Sequence, residues 1–111
     1  MQIHMITTGL ALKGYRTVKT LGVVRGLTVR SRGAIGNIAA GVQQFFGGDI
    51  TIYIQLCEQA RQDAFDRMKE HAEQLGANAI IGMRYDATEI ATGVTEVLAY
   101  GTALVVEQIK P

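Results

Sequence analysis

The densest run of apolar positions lies between Leu75 and Val106. It reads Leu75-Gly76-Ala77-Asn78-Ala79-Ile80-Ile81-Gly82 and, after a turn, Ala99-Tyr100-Gly101-Thr102-Ala103-Leu104-Val105-Val106. The pattern predicts two strands, Ala79 to Thr88 and Val94 to Glu107, joined by a turn near Ala91-Thr92-Gly93. Both are apolar on both parities: Ile80 beside Ile81, and Leu98, Leu104 and Val106 beside Val97, Ala103 and Val105. A strand with one wet face alternates, so this hairpin needs cover on two sides. Gly82 and Gly101 sit mid-strand, where bare backbone can receive a helix.

Upstream of the hairpin the period changes. Leu56, Ala60, Ala64, Met68, Ala72 and Leu75 recur at spacings of 4, 4, 4, 4 and 3, one stripe of a helix over 51–75. Gln59, Gln62, Asp66, Lys69, Glu70 and Glu73 take the opposite side. At 1.5 Å per residue this helix is about 37 Å long. Three alanines on the stripe allow close approach to a sheet, and Gly76 supplies a left-handed stop.

Val, Thr and Leu dominate Tyr15 to Arg30 and predict extended structure. Gly22 and Gly26 interrupt that run, which points to a bend, a bulge or the close approach of another backbone. Ile3 to Thr7 reads as a short edge strand ended by Thr8-Gly9. Ile35, Ile38, Ala39, Val42, Phe45 and Phe46 have amphipathic spacing and predict a short helix, stopped by Gly47-Gly48. Gly36 and Gly41 inside it cost about 1 kcal/mol each relative to alanine, so it needs a packing partner. One long and one short helix cannot cover both faces and both edges of the predicted sheet. Another copy of the chain is the simplest cover.

Composition narrows the class without naming a chemistry. At 111 residues, 48% apolar and 19% charged, the chain is a single globular domain, residues 1–111. Its apolar runs are too short to cross a bilayer, Met1-Gln2-Ile3-His4 does not open a signal peptide, and a single cysteine excludes an intrachain disulfide. The expectation is a soluble cytoplasmic protein. The net charge of +1 conceals a segregation: residues 1–48 carry +6 and no acid, residues 49–111 five cations against ten acids. A basic half can attract phosphate or nucleic acid. The favoured reading is that opposite halves of identical copies face each other and set the register of a homo-oligomer.

Five motifs stand in one arrangement: Leu21-Gly22-Val23-Val24-Arg25-Gly26, Phe46-Gly47-Gly48, Ala60-Arg61-x-x-Ala64, Leu75-Gly76-Ala77-Asn78-Ala79-Ile80-Ile81-Gly82 and Ala99-Tyr100-Gly101-Thr102-Ala103. In that arrangement the chain resembles the YbjQ-like family, a group of small uncharacterised bacterial and archaeal proteins labelled heavy-metal-binding. The match covers nearly the whole chain. The resemblance implies an α+β, two-layer, dodecin-like β-α-β-β subunit, its antiparallel sheet packed by the long and the short helix. It also implies a propeller-like homopentamer, and it lends no established activity.

The metal label meets a thin ligand set. A soft or borderline metal gathers several Cys, His or carboxylate groups, and this chain has Cys57, His4 and His71. Cys57 and His71 are 14 residues apart on one predicted helix, about 21 Å along its axis, so they cannot share an ion within a subunit. Rings of His4 or His71 about a symmetry axis remain as metal candidates. As a thiol, Cys57 has Arg61 one turn on to favour the thiolate, but a lone helical cysteine is more often a packed hydrophobe. Ser31 stands in Arg30-Ser31-Arg32-Gly33, which is no nucleophile elbow. Asp63, Asp66, Glu70 and Glu73 interleave with Arg67 and Lys69 and read as a solvated face, with Asp63 and Arg67 at the favourable i,i+4 order. Gly33-Ala34-Ile35-Gly36 opens a helix beside Arg30 and Arg32, so an anion can be held there. Nucleic acid is disfavoured, because only Tyr15 lies near the basic stretch as a stacking platform.

The reading that results is a non-catalytic, ring-forming homo-oligomer that binds a small ligand or ion at its axis or in intersubunit clefts, with Arg25, Arg30 and Arg32 as ligand candidates. Two alternatives stand beside it. One is a heavy-metal-binding or sensing protein using His4, Cys57 or His71. The other is an enzyme whose site is shared between subunits.

Overall fold

A computed structural model describes residues 1–31 and 51–110. Its elements follow the order β-α-β-β: β1 (Tyr15–Ser31), α1 (Thr51–Gln74), β2 (Ala79–Ala91) and β3 (Val94–Gln108). The strands form one antiparallel sheet in the order β1-β3-β2, so the last strand in sequence lies at the centre. The short helix expected over 35–46, its Gly47-Gly48 stop and Arg32 lie outside the described residues.

Helix α1 lays its alanine stripe on one face of the sheet. Ala60, Ala64, Met68 and Ala72 are buried there, with Val24, Ile80, Met83, Ala99 and Ala103 beneath them. Contact is tightest at Gly26. A Cβ built on that residue lies 2.8 Å from the carbonyl carbon of Arg67, and nearer still to the oxygen of Ala64 and the nitrogen of Met68. Gly26 therefore receives the helix, in the role expected of Gly82 and Gly101. Those two serve the sheet itself. Gly82 lies where β2 slips register between Ile81 and Arg84, and a Cβ on Gly101 meets the Ile80 Cγ2 of that neighbouring strand at 2.7 Å. At Gly22 the expected irregularity is a register shift between Thr20 and Gly22; a second shift, between Thr17 and Lys19, has no glycine to announce it.

The helix ends in a Schellman motif. Ala77 N–H donates to the Ala72 carbonyl and Gly76 N–H to that of Glu73, both at 3.0 Å, with Gly76 at φ +87°. The chain leaves the helix at that point, so Leu75 is 46% exposed instead of closing the buried stripe. Asn78 then ties the entry of β2 to β3. Its Nδ2 donates to the Val106 carbonyl at 2.9 Å, and its Oδ1 accepts from Val106 N–H at 2.8 Å. One side chain thus supplies the pair of bonds that another strand residue would have made.

The N-terminal segment corrects the expected edge strand. Ile3–Met5 is a single 3-10 turn, and Ile6 makes one parallel bridge, to Ile80. Beyond it, Thr7 N–H donates to the Ile80 carbonyl, Met83 N–H to that of Thr7 and Gly82 N–H to that of Gly9. The β2 bulge bends the edge away at this point, and a regular ladder cannot continue past it. Met5 and Leu12 from this segment pack on Ala79, Leu104 and Val106. By strand alternation those positions lie on the sheet face turned away from α1.

Element lengths decide how far the cover reaches. The 17 residues of β1 extend about 56 Å at roughly 3.3 Å each. The 24 residues of α1 extend about 36 Å. The sheet outruns its helix, and its hairpin end, 84–91, is exposed throughout.

Candidate functional site

Two surfaces stand out: the sheet face away from α1 and the mouth between α1 and the hairpin. On the first, register places Val23, Arg25, Leu27 and Val29 of β1 opposite Thr102, Tyr100, Leu98 and Glu96 of β3. Val23 is 72% exposed, Val29 53% and Leu27 39%. Among the described residues, the N-terminal segment covers only the opposite end of this face, over Leu104 and Val106. Apolar strand surface is thus exposed on either side of Arg25.

The edges are better protected than the pattern of residues suggested. At β1 the Arg25 N–H donates to His71 Nδ1 at 3.2 Å, and Arg67 donates to the Leu27 carbonyl at 2.7 Å. Two helix side chains thereby occupy outward-pointing backbone groups of an edge strand, the groups through which a further strand would add. Residues 6–9 do the same along the first part of β2.

The two arginine candidates among the described residues do not converge. Arg25 lies on the open face and Arg30 on the helix face, because five residues separate them on one strand. Arg30 forms an ion pair with Asp63 and donates to Thr28 Oγ1 at 2.8 Å, where Thr28 is buried. Gln59 Nε2 donates to the other Asp63 oxygen at 2.9 Å. The Gln59 amide first, then the Arg30 guanidinium, holds the Asp63 carboxyl below its usual range against an opposing push from desolvation. Asp63 is thus bound to the sheet, not part of a solvated acidic face, and its i,i+4 neighbour Arg67 is spent on Leu27. Arg16 likewise pairs with Glu107, and the Met1 ammonium with Glu73 at 3.0 Å. Part of the segregated charge is therefore matched within the chain itself.

The metal candidates are equally scattered. His4 sits exposed in the 3-10 turn, Cys57 is exposed near the start of α1, and His71 is half-buried near its end with Nδ1 accepting from Arg25. Cys57 is thus not the packed hydrophobe that lone helical cysteines usually are. Among the described residues no three His, Cys, Asp or Glu side chains gather as an ion would need.

Between the first turns of α1 and the hairpin half of the sheet lies a cavity of about 220 Å³. Leu56, Ala60, Ala87 and Val97 give it an aliphatic floor, and Arg30, Arg61 and Cys57 also line it. The Arg61 guanidinium lies over the Tyr85 ring, 5.9 Å from its centroid. Burial pushes the Tyr85 phenol above its usual pKa, with Arg61 opposing. Neither the cavity nor the Arg61–Tyr85 pair was visible in the sequence. They join a helix to a strand 24 residues later, and no periodicity links such positions.

Comparison with known proteins identifies the group. Residues 4–107 match the YbjQ family model, described as “Putative heavy-metal-binding”. A UPF0145 protein of Burkholderia thailandensis is 61% identical over 101 residues, 91% of each chain. A UPF0145 protein of Chromobacterium violaceum is 58% identical over 105 residues, 95% of this chain and 90% of its own. Among solved structures, a DUF74-family protein of unknown function from Pediococcus pentosaceus aligns with a TM-score of 0.52 at 22% identity, over 92% of this chain and 96% of that one. That likeness is one of fold. Matched along almost all of its length, the chain belongs to the YbjQ family of UPF0145 proteins.

Proposed function

We propose that this chain is a non-catalytic subunit of a cytoplasmic homo-oligomer, and that further copies cover the sheet face left open by α1. The observation that carries this reading is the set Val23, Leu27 and Val29, exposed about Arg25 beside Leu98 on the end of the strand face that the N-terminal segment does not cover. Burying such side chains contributes about 25 cal/mol per Å² of apolar surface, and closed rings of identical subunits are a common way to achieve it. The resemblance to the YbjQ-like family favours five copies. A ring also gives the family's metal description its best footing. Within one subunit the described residues supply no converging ligand set, whereas an axis or an intersubunit cleft repeats His4 or His71 and can gather ligands for an ion or a small molecule.

The test is native mass spectrometry and sedimentation velocity on wild type and Val23→Asp, from micromolar concentration downward. Val23 is largely exposed in the subunit, so a charge there leaves the subunit folded by circular dichroism while dissociating the assembly. A wild-type chain that is monomeric at every concentration refutes the reading.

A further inference from the structure

We propose that the mouth between α1 and the hairpin is a binding site for a small apolar monocarboxylate, with Arg61 as its anion anchor. It lies on the helix side of the sheet, away from the proposed assembly face, and stands whether or not that assembly forms.

The lining defines the ligand class. Leu56 and Ala60 from α1 and Ala87 and Val97 from the sheet form an aliphatic slot, and the charged side chains on its lining, Arg30 and Arg61, are both cations. Arg30 is committed to Asp63 and Thr28. Arg61 is held differently. Its guanidinium lies over the Tyr85 ring, a contact that orients it without neutralising it, and its planar donor fork matches a carboxylate in two parallel bonds. An apolar body in the slot with its carboxylate at the rim satisfies both surfaces at once.

Size narrows the class further. The space exists because Ala60 and Ala87 stand on facing elements where larger side chains would fill it. Its 220 Å³ lies below the ~300–1,000 Å³ of sites for drug-sized molecules. The fit is to one or two rings or a short acyl chain.

Cys57 lines the cavity and is the only thiol in the chain, which makes it a reporter. The probe is 1-naphthoate, with neutral 1-naphthamide for comparison, and the readout is the rate of Cys57 alkylation by N-ethylmaleimide in the full chain. Naphthoate slows alkylation saturably, and the amide needs about tenfold more for equal protection, the worth of one charge-assisted contact. Arg61→Gln, at an exposed position, abolishes the preference for acid over amide. Ala87→Leu fills the slot and removes protection while circular dichroism stays unchanged. The proposal is overturned by equal protection from acid and amide, by Arg61→Gln retaining the preference, or by the absence of saturable protection in wild type. Protection that rises with protein concentration without naphthoate assigns the slot to a second copy, and also overturns it.

Discussion

Replacing Gly26 by alanine tests how α1 is seated on the sheet. The new Cβ would lie 2.8 Å from the Arg67 carbonyl carbon and closer to two further backbone atoms of the helix, whereas ordinary Cβ contacts begin near 3.4 Å. No rotamer change relieves backbone against backbone, so the helix must lift by more than half an ångström along the row Ala60, Ala64, Met68 and Ala72. Overpacking of this kind costs about 1–3 kcal/mol, and a clash with rigid backbone belongs at the upper end. Alanine regains roughly 0.5–1 kcal/mol of the backbone entropy that glycine loses in a strand. The net loss is about 2 kcal/mol. At roughly 4–8 °C per kcal/mol for a domain near this size, Tm falls by about 8–16 °C. The assay is thermal unfolding by circular dichroism at one fixed protein concentration, since self-association shifts Tm by mass action. Gly9→Ala is the control, because its Cβ meets nothing nearer than Thr7 Oγ1 at 3.4 Å. If Gly26→Ala melts within about 2 °C of that control, the helix does not rest on this glycine and the account of the core fails.

Two further substitutions probe the links around this core. Asn78→Ala strips the N–H and carbonyl of buried Val106 of their side-chain partners, costing about 1–3 kcal/mol in urea unfolding; an unchanged midpoint would mean that the ladder re-pairs without it. Asp63→Asn tests the Arg30 link by pH. Because the folded carboxyl titrates below its ordinary 3.8, its contribution is present above that value and disappears as pH falls through the lower folded one. Wild type therefore exceeds Asp63→Asn in urea midpoint at neutral pH, and the two converge in strong acid. A gap that stays constant with pH would place the effect elsewhere.

Much of the fold was legible because it rests on local pattern. The 51–75 stripe of alanines and Met68, the Gly76 stop and the doubly apolar hairpin each require only neighbours in sequence to be read, and all three stand in the structure. The candidate chemistry was less legible. Asp63 looked like a solvated partner of Arg67, but the two reach Arg30 and Leu27 on a strand more than thirty residues away. His71 was a candidate only for a ring of ligands about a symmetry axis, and nothing local announced that its Nδ1 accepts from the backbone of an edge strand.

The sequence alone determined the long helix, β1 and the hairpin, their order, the stripe from Ala60 to Ala72 that α1 buries and the surplus of apolar strand surface. Periodicity, capping and β-branching act over a few residues, and they leave their mark in composition. Only the tertiary structure decided that Gly26 receives the helix, that Asn78 stands in for a strand residue, that side chains of α1 close the edge of β1 and that two alanines leave a space beside Arg61. Each of these depends on the distance between elements far apart in the chain. That distance is set by the packing of all the side chains between them, which no short run of residues encodes.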